Sequence, residues 1–203
     1  GTALLLKIFK RAKLVMNISD LWPDSAVELG MIGPGLPLKM LEWFERLLYK
    51  SSAMVSCQTE GIVAGVKDSY KDAKTFLFPN GVDLDMFPVI PRDEALMKEL
   101  GIPEDVFIAG YGGNHGRSQA LTQILEAAAL LKGEKIFFAL FGDGPEKAEL
   151  ERKAAEMKLE NLRLFPSQPR ERMAKIQSLW DIALVPLKNI PLFDGARPSK
   201  MFE

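Results

Sequence analysis

The sequence predicts an α/β protein built from two parallel-sheet units, and three observations carry that prediction. Short, near-continuous apolar runs of strand length alternate with longer runs patterned at helical spacing, as in a parallel sheet covered on both faces. The alternation breaks once, across a proline-rich and charged stretch from Val82 to Gly101, and then restarts. Loops rich in glycine, proline and asparagine follow the apolar runs, where open α/β sheets place their ligands.

Taken in order, Lys13–Ile18 reads as a buried strand, followed by a proline- and acid-rich loop. A helix is predicted from about Leu38 to Lys50, with Leu41, Phe44, Leu47 and Leu48 on one face. Ala53–Cys57 is a second strand, a short helix carries Ile62, Val63 and Val66, and Thr75–Phe78 is a third strand closed by the turn Pro79-Asn80-Gly81. Pro88 and Pro91 mark the boundary, with a short helix near Asp93–Leu100. Beyond it come strands at Phe107–Tyr111, Ile136–Phe141, Leu162–Phe165 and Ile182–Val185. Helices over Ser118–Leu131, Glu146–Lys158 and Arg170–Leu179 separate them. This divides the chain into a first unit at residues 1–88, a hinge at 89–104 and a second unit at 105–203.

Composition sets the outer bounds. The chain has 203 residues, 47% hydrophobic and 26% charged, an ordinary globular balance with room for a sizeable core. A net charge of −1 argues against general nucleic-acid binding, since no excess of cations exists to neutralise phosphates. Cys57 is the single cysteine, which excludes intrachain disulfides and fits a reducing, cytoplasmic compartment. No run is long and apolar enough for a membrane span, and the start does not read as a signal peptide. Lys7, Lys10, Arg11 and Lys13 sit beside Leu4, Leu5, Leu6, Ile8 and Phe9. That stretch reads as a surface helix packed on a sheet, or as a basic helix lying on anionic lipid.

Several loops carry chemistry. In Phe193–Glu203, Pro198 suits the first position of a helix, whose free N–H groups at Ser199 and Lys200, with the Lys200 charge, would hold an anion. Glu203, one turn past Ser199, is placed to accept hydrogen bonds from hydroxyls, and the combination suggests a nucleoside diphosphate with its ribose. Tyr111–Ser118 is either a phosphate-approaching glycine loop with Arg117 as a charged fork, or a tight strand-to-helix turn. Gly142-Asp143-Gly144-Pro145 reads as a turn opening a helix, and Phe165–Pro169 as a loop whose backbone could read a base edge. Asp83 and Asp85 resemble a metal-holding pair but fit a linker or helix cap better. His115 is the only histidine, so histidine metal clusters and triads centred elsewhere are excluded. Cys57 reads as an inert packing thiol. Asp20 and its neighbour Trp22 either contact a sugar or proton at the end of the first strand, or belong to a packing loop.

Taken together these loops resemble the GT-B-fold retaining glycosyltransferases of family 4, in particular the bacterial surface-polysaccharide and O-antigen branch with its colanic-acid and N-acetylfucosamine transferases. The resemblance rests on D-L-W-P-D-S-A-V-E-L-G at 20–30, E-R-L-L-Y-K-S-S-A at 45–53 and P-N-G-V-D at 79–83. It continues with G-N-H-G-R-S-Q-A-L at 113–121, G-D-G-P at 142–145 and P-S-K-M-F-E at 198–203. It implies two Rossmann-like units, incomplete at both ends, the second binding a nucleoside-diphosphate sugar, usually a UDP-sugar. By the same resemblance Glu203 holds the ribose hydroxyls. Lys200, Ser199, Arg197 and the glycine loop (Gly112, Gly113, Asn114, Gly116, Arg117) meet the diphosphate, while Pro166 and Ser167 flank the base. Asp20 or Ser19 falls at the acceptor-side polar group. The chemistry implied is metal-independent sugar transfer, with retention, to a lipid-linked or oligosaccharide acceptor at the inner face of the cell membrane.

The chain departs from the family pattern at three places. Gly195 stands where many members carry a glutamate, and Asn114 and Gln119 replace the usual arginine and lysine of the glycine loop. Two further functions stay open on the residues: a UDP-sugar epimerase of the same fold, and a non-catalytic nucleotide-sugar-binding partner.

Overall fold

The computed structural model describes residues 2–203. Its elements run α1 (Thr2–Lys10), β1 (Val15–Ile18), α2 (Asp24–Glu28), α3 (Leu36–Ser51), β2 (Met54–Cys57), α4 (Glu60–Ser69) and β3 (Thr75–Leu77). They continue with α5 (Glu94–Glu99), β4 (Phe107–Gly112), α6 (Thr122–Leu130), β5 (Ile136–Phe141), α7 (Lys147–Glu156), β6 (Leu162–Phe165), α8 (Arg170–Gln177) and β7 (Ile182–Ala183). The strands form two all-parallel sheets, so the α/β expectation of two parallel-sheet units holds.

The first unit comprises the chain up to Gly81 together with Asn189–Arg197. Its sheet has the order β1-β2-β3, with Met16 opposite Val55 and Val55 opposite Thr75. Val55, Cys57, Ile62, Val66 and Tyr49 form its core. Thr59 caps α4 by accepting from the Ile62 N–H at 3.1 Å. The Glu45 carboxylate accepts from the Tyr49 hydroxyl (2.8 Å) and the Ser69 hydroxyl (2.7 Å), which ties α3 to α4. Cys57 is fully buried, and burial pushes its thiol upward, as suits an inert packing residue. No residue of α1 is buried. Against the expectation that this helix packs on a sheet, its Lys7 ammonium donates to the Ser51 carbonyl at the end of α3, at 2.5 Å.

The second unit comprises Val82–Lys188 with Pro198–Glu203. Its strand order is β6-β5-β4-β7. The chain builds outward from β4 through β5 to β6, then crosses back to place β7 on the other side of β4. The strand order reverses at β4, and Gly112 is the last residue of that strand. Alternate residues point to opposite faces of the sheet. Ile108, Phe137, Ala139 and Phe141 pack under α5 and α8, while Ala109, Tyr111, Phe138 and Leu140 pack under α6 and α7. Trp180 lies flat on Gly110, where a Cβ would fall 2.0 Å from the indole.

This division differs from the one read from sequence. Within the stretch expected as a hinge at 89–104, Leu96, Met97 and Ile102 are buried in the second unit's core. Asp93 caps α5 by accepting from the Leu96 N–H at 3.0 Å. Two helical expectations also change. The helix over Ser118–Leu131 is a 3-10 turn at Arg117–Gln119, a left-handed Ala120 (φ 49°), and only then α6. The helix opening at Pro198 is a single 3-10 turn, Ser199–Met201, with Pro198 extended before it. Asp83 accepts from the N–H groups of Asp85 (3.0 Å) and Met86 (3.2 Å), the turn-capping role. Among the described residues no helix is long and apolar enough to cross a membrane.

One buried amide yields a stability prediction. Asp181 accepts from the Ile108 N–H at 2.7 Å and from Arg92 at 2.7 Å. These bonds, the backbone N–H first, hold its carboxyl below the usual range. A lowered folded-state value means the contribution is complete above the unfolded pKa and is lost as pH falls through the folded one. Asp181→Ala should cost about 1.5–3 kcal/mol at neutral pH, with a smaller deficit in acid, read by urea unfolding at both pH values.

Candidate functional site

The glycine loop after β4, the Gly142–Pro145 loop after β5 and the Pro166–Pro169 loop after β6 meet at the carboxyl end of the second sheet. Backbone bonds stitch them together: Gly113 N–H to Phe141 O (2.9 Å), Gly142 N–H to Phe165 O (3.3 Å) and His115 N–H to Asp143 O (2.8 Å). Lys147 donates to the carbonyls of Gly142 (2.9 Å) and Phe165 (3.1 Å), pinning the ends of β5 and β6. His115 lies fully buried beneath the loop. Burial first, then the nearby Lys147 ammonium, hold its pKa below the ordinary value, which fits a neutral packing residue.

These loops surround a cleft of about 390 Å³ lined by Gly112, Gly113, Asn114, Ser167 and Glu203, with Phe87, Gln168 and Arg170 among others. A smaller cavity of about 190 Å³ shares Gly112 and Glu203 with it and adds Lys200. The structure thus brings together six of the residues read from the sequence: Gly112, Gly113, Asn114, Ser167, Lys200 and Glu203. Gly116, Arg117, Pro166 and Ser199 lie outside both linings. Gly116 is buried within the loop, and the other three are exposed. Arg197 falls in the first unit. Ser19 and Asp20 line a separate pocket of about 220 Å³ in the first unit, beside Gly61, Gly65 and Phe193. There burial raises the Asp20 carboxyl above its usual range, and the Ser19 hydroxyl accepts from Gln58 at 2.6 Å. Gly195 belongs to that unit too: a Cβ on it would fall 2.9 Å from the Gly61 Cα, so a larger residue needs the backbone to shift.

Lys200 is the most closely held group of the cleft. Its ammonium lies 4.4 Å from the Tyr111 ring centre and donates to the Tyr111 hydroxyl at 3.1 Å, which in turn donates to the Asn114 carbonyl at 2.7 Å. It also lies over Gly113, where a Cβ would be 2.7 Å from Nζ. Burial lowers the Lys200 pKa, partly countered by the Glu203 carboxylate. Glu203 accepts from Arg170 at 3.3 Å, its side chain 23% exposed, and the Arg170 guanidinium stacks 5.4 Å over Phe87. The result is a cation over a glycine backbone with an oriented carboxylate beside it, arranged to hold an anion and hydroxyls together.

Arg170 and Tyr111 were missed as site residues in the sequence. Arg170 opens a helix directly after a strand-end loop, a position that flags a cation for the cleft. Tyr111 carries no such signal, since its hydroxyl matters only through contact with a residue far along the chain.

Residues 92–192 match the family described as glycosyl transferases group 1. The chain is 30% identical over 207 residues to WcaI of Escherichia coli (strain K12), whose name assigns it to colanic acid biosynthesis as a glycosyl transferase. That match covers 99% of this chain and 50% of WcaI. It is 28% identical to WbjE of Pseudomonas aeruginosa, named as a glycosyltransferase, over 98% of this chain and 50% of that one. The chain therefore spans about half the length of the curated relatives it matches. Among solved structures, WaaG, a glycosyltransferase involved in lipopolysaccharide biosynthesis, aligns at a TM-score of 0.73 and 17% identity, covering 92% of this chain and 56% of WaaG. HepE of Anabaena, in complex with UDP and glucose, aligns at 0.73 and 15%, covering 88% and 47%. Both likenesses speak for the fold, an α/β architecture of the GT-B glycosyltransferase kind. Residues 92–192 thus form a domain of the glycosyl transferases group 1 family.

Proposed function

We propose that the second unit binds a UDP-sugar in the cleft at the end of β4 and that the protein transfers its sugar, with retention, to a lipid-linked or oligosaccharide acceptor in surface polysaccharide assembly. The observation that carries this reading is the pairing of the Lys200 ammonium over Gly113 with the Glu203 carboxylate at the same cleft. Lys200 would meet the diphosphate and the negative charge that grows on it as the glycosidic bond breaks, a task that here needs no metal ion. Glu203, aimed by Arg170, would accept from the ribose hydroxyls. Gly112, Gly113 and Asn114 give the phosphates close approach to backbone, Ser167 sits at the base end, and Ser199, Gly116 and Arg117 support the same loops from outside the lining. Arg197 is read as a further diphosphate contact, and Ser19 or Asp20 as the acceptor-side polar group. Contact with the inner face of the cell membrane follows from a lipid-linked acceptor.

The reading is supported by the relatives' names, by UDP in the HepE structure and by the chemistry of the cleft. Glu203→Gln keeps the shape and removes the anion. It should weaken UDP binding about tenfold to a hundredfold, as loss of charge-assisted hydrogen bonds does. Calorimetric titration with UDP, UDP-glucose and GDP reads this out, and unchanged UDP affinity would remove Glu203 from the site. Free epimerised UDP-sugar made without any acceptor would instead identify an epimerase.

A further inference from the structure

Beneath the donor cleft lies a titratable group that the proposed binding of a UDP-sugar leaves unused. His115 is fully buried, and neither ring nitrogen has a hydrogen-bond partner. A partnerless imidazole is more costly to bury than an apolar side chain of similar shape, so packing alone does not account for it. Its backbone is engaged on both sides. The N–H donates to the Asp143 carbonyl at 2.8 Å, and the carbonyl accepts from the Glu146 N–H at 2.9 Å. The ring is thus fixed under the glycine loop while its nitrogens remain unspent.

Several elements bring charge to that ring. Tyr111 of β4 sets its own ring 5.9 Å from the imidazole and its hydroxyl against the Lys200 ammonium. Lys147 of α7 and Lys200 of the last turn oppose an imidazolium. The Asp143 carboxylate and the Phe141 carbonyl, near but outside hydrogen-bond geometry, favour one. In the free protein burial and the two ammoniums prevail, and the imidazole is neutral at neutral pH. A diphosphate alters that balance. Lys200 lies over Gly113 and 4.4 Å from the centre of the Tyr111 ring, against which His115 also rests. Negative charge placed at Lys200 offsets one of the opposing ammoniums and itself favours a cation below the loop.

We infer that His115 couples donor binding to proton uptake: as the diphosphate settles at Lys200 above Gly113, the buried imidazole takes a proton from solvent and adds a cation beneath the glycine loop. The inference rests on the reading that the diphosphate meets Lys200. The proton comes from bulk buffer on binding and returns there on release. While it is held, the imidazolium opposes the charge that grows on the diphosphate as the glycosidic bond breaks. His115 acts through charge from under the loop, as a positioning residue.

The test follows the imidazole itself, which gives a single signal because the chain has no other histidine. Its pKa is read by NMR titration of the full chain, free and saturated with UDP-glucose, whose esterified phosphates do not ionise near neutrality. Saturation should raise the His115 pKa by about one pH unit, the effect of a charge roughly 10 Å away at an effective dielectric constant of about 20. By linkage, UDP-glucose affinity should then rise about tenfold as pH falls from above the bound-state pKa to below the free-state one. Calorimetry in buffers of differing ionisation enthalpy should show net proton uptake inside that window. His115→Phe and His115→Gln should lose both the uptake and the acid-side gain, with melting temperature as the check on folding. The titration of the parent protein decides the matter even where neither variant folds. A His115 pKa that stays put or falls on saturation overturns the inference, and so does equal proton uptake by His115→Phe. Absence of any binding by UDP-glucose and by UDP would remove the donor reading first, and this inference with it.

Discussion

Alanine at position 142 should cost the second unit about 3–5 kcal/mol and abolish saturable UDP binding. A methyl group there would lie 1.8 Å from the Gly113 carbonyl oxygen, a backbone atom with no freedom to swing aside. Gly142 also sits at φ +149°, a region that L side chains rarely enter. Relief would have to come from separating the two loops, which breaks the bonds from Gly113 to Phe141 and from His115 to Asp143. Both bonds set the floor of the cleft, so stability and binding fall together. Urea unfolding and UDP titration of the same preparation check this. A variant that melts like the parent and still binds would mean that the two loops are not held at this separation. Gly144→Ala tests the same stitching at a neighbouring point, because its Cβ would lie 2.4 Å from the Asn114 side-chain oxygen.

The strands were legible because burial on both faces leaves its mark locally, as in Ile136–Phe141. The last strand came out shorter than its apolar run. It pairs with β4 over two residues only, and Pro186 follows soon after. The helix break at Ala120 left no trace, since Ser118-Gln119-Ala120 contains neither proline nor glycine to stop a helix. α5 was legible as a short helix near Asp93–Leu100, but the burial of Leu96 and Met97 in the core was not, because prolines and charges surround them. At the cleft, Gly112, Gly113, Asn114, Ser167, Lys200 and Glu203 could be read because each belongs to a loop or terminus whose composition departs from its surroundings. Tyr111 could not, because its part depends on a contact made 89 residues away, while Arg170 is flagged by its place at the start of a helix after a strand-end loop and its partner Glu203, 33 residues on, is not. Gly195 shows the converse. What looked in sequence like a missing carboxylate is a backbone-to-backbone contact with Gly61, which leaves no room for a side chain without movement.

In the proposed transfer reaction, replacing Lys200 by alanine should lower the rate about 10²–10³-fold, the usual effect of removing a preorganised group aimed at developing negative charge. UDP binding should fall less, because the ground-state diphosphate keeps the glycine loop while the transition state loses its cation. Tyr111→Phe separates position from charge. It keeps the ring 4.4 Å from the ammonium but removes the 3.1 Å hydrogen bond and the 2.7 Å bond to the Asn114 carbonyl. A loss of about tenfold is expected, close to the worth of one hydrogen bond to a charged group. The two variants also differ in their pH response. Burial lowers the pKa of Lys200 in the free protein, and a bound diphosphate would raise it again by adding opposite charge. UDP affinity is therefore expected to be full below the free-state pKa and to decline as pH rises through it, earlier than an ordinary lysine would dictate. Lys200→Ala should abolish that decline and Tyr111→Phe should only displace it. A decline that persists unchanged in Lys200→Ala would assign the diphosphate to another cation, with Arg170 the first to examine since it reaches the same cleft through Glu203.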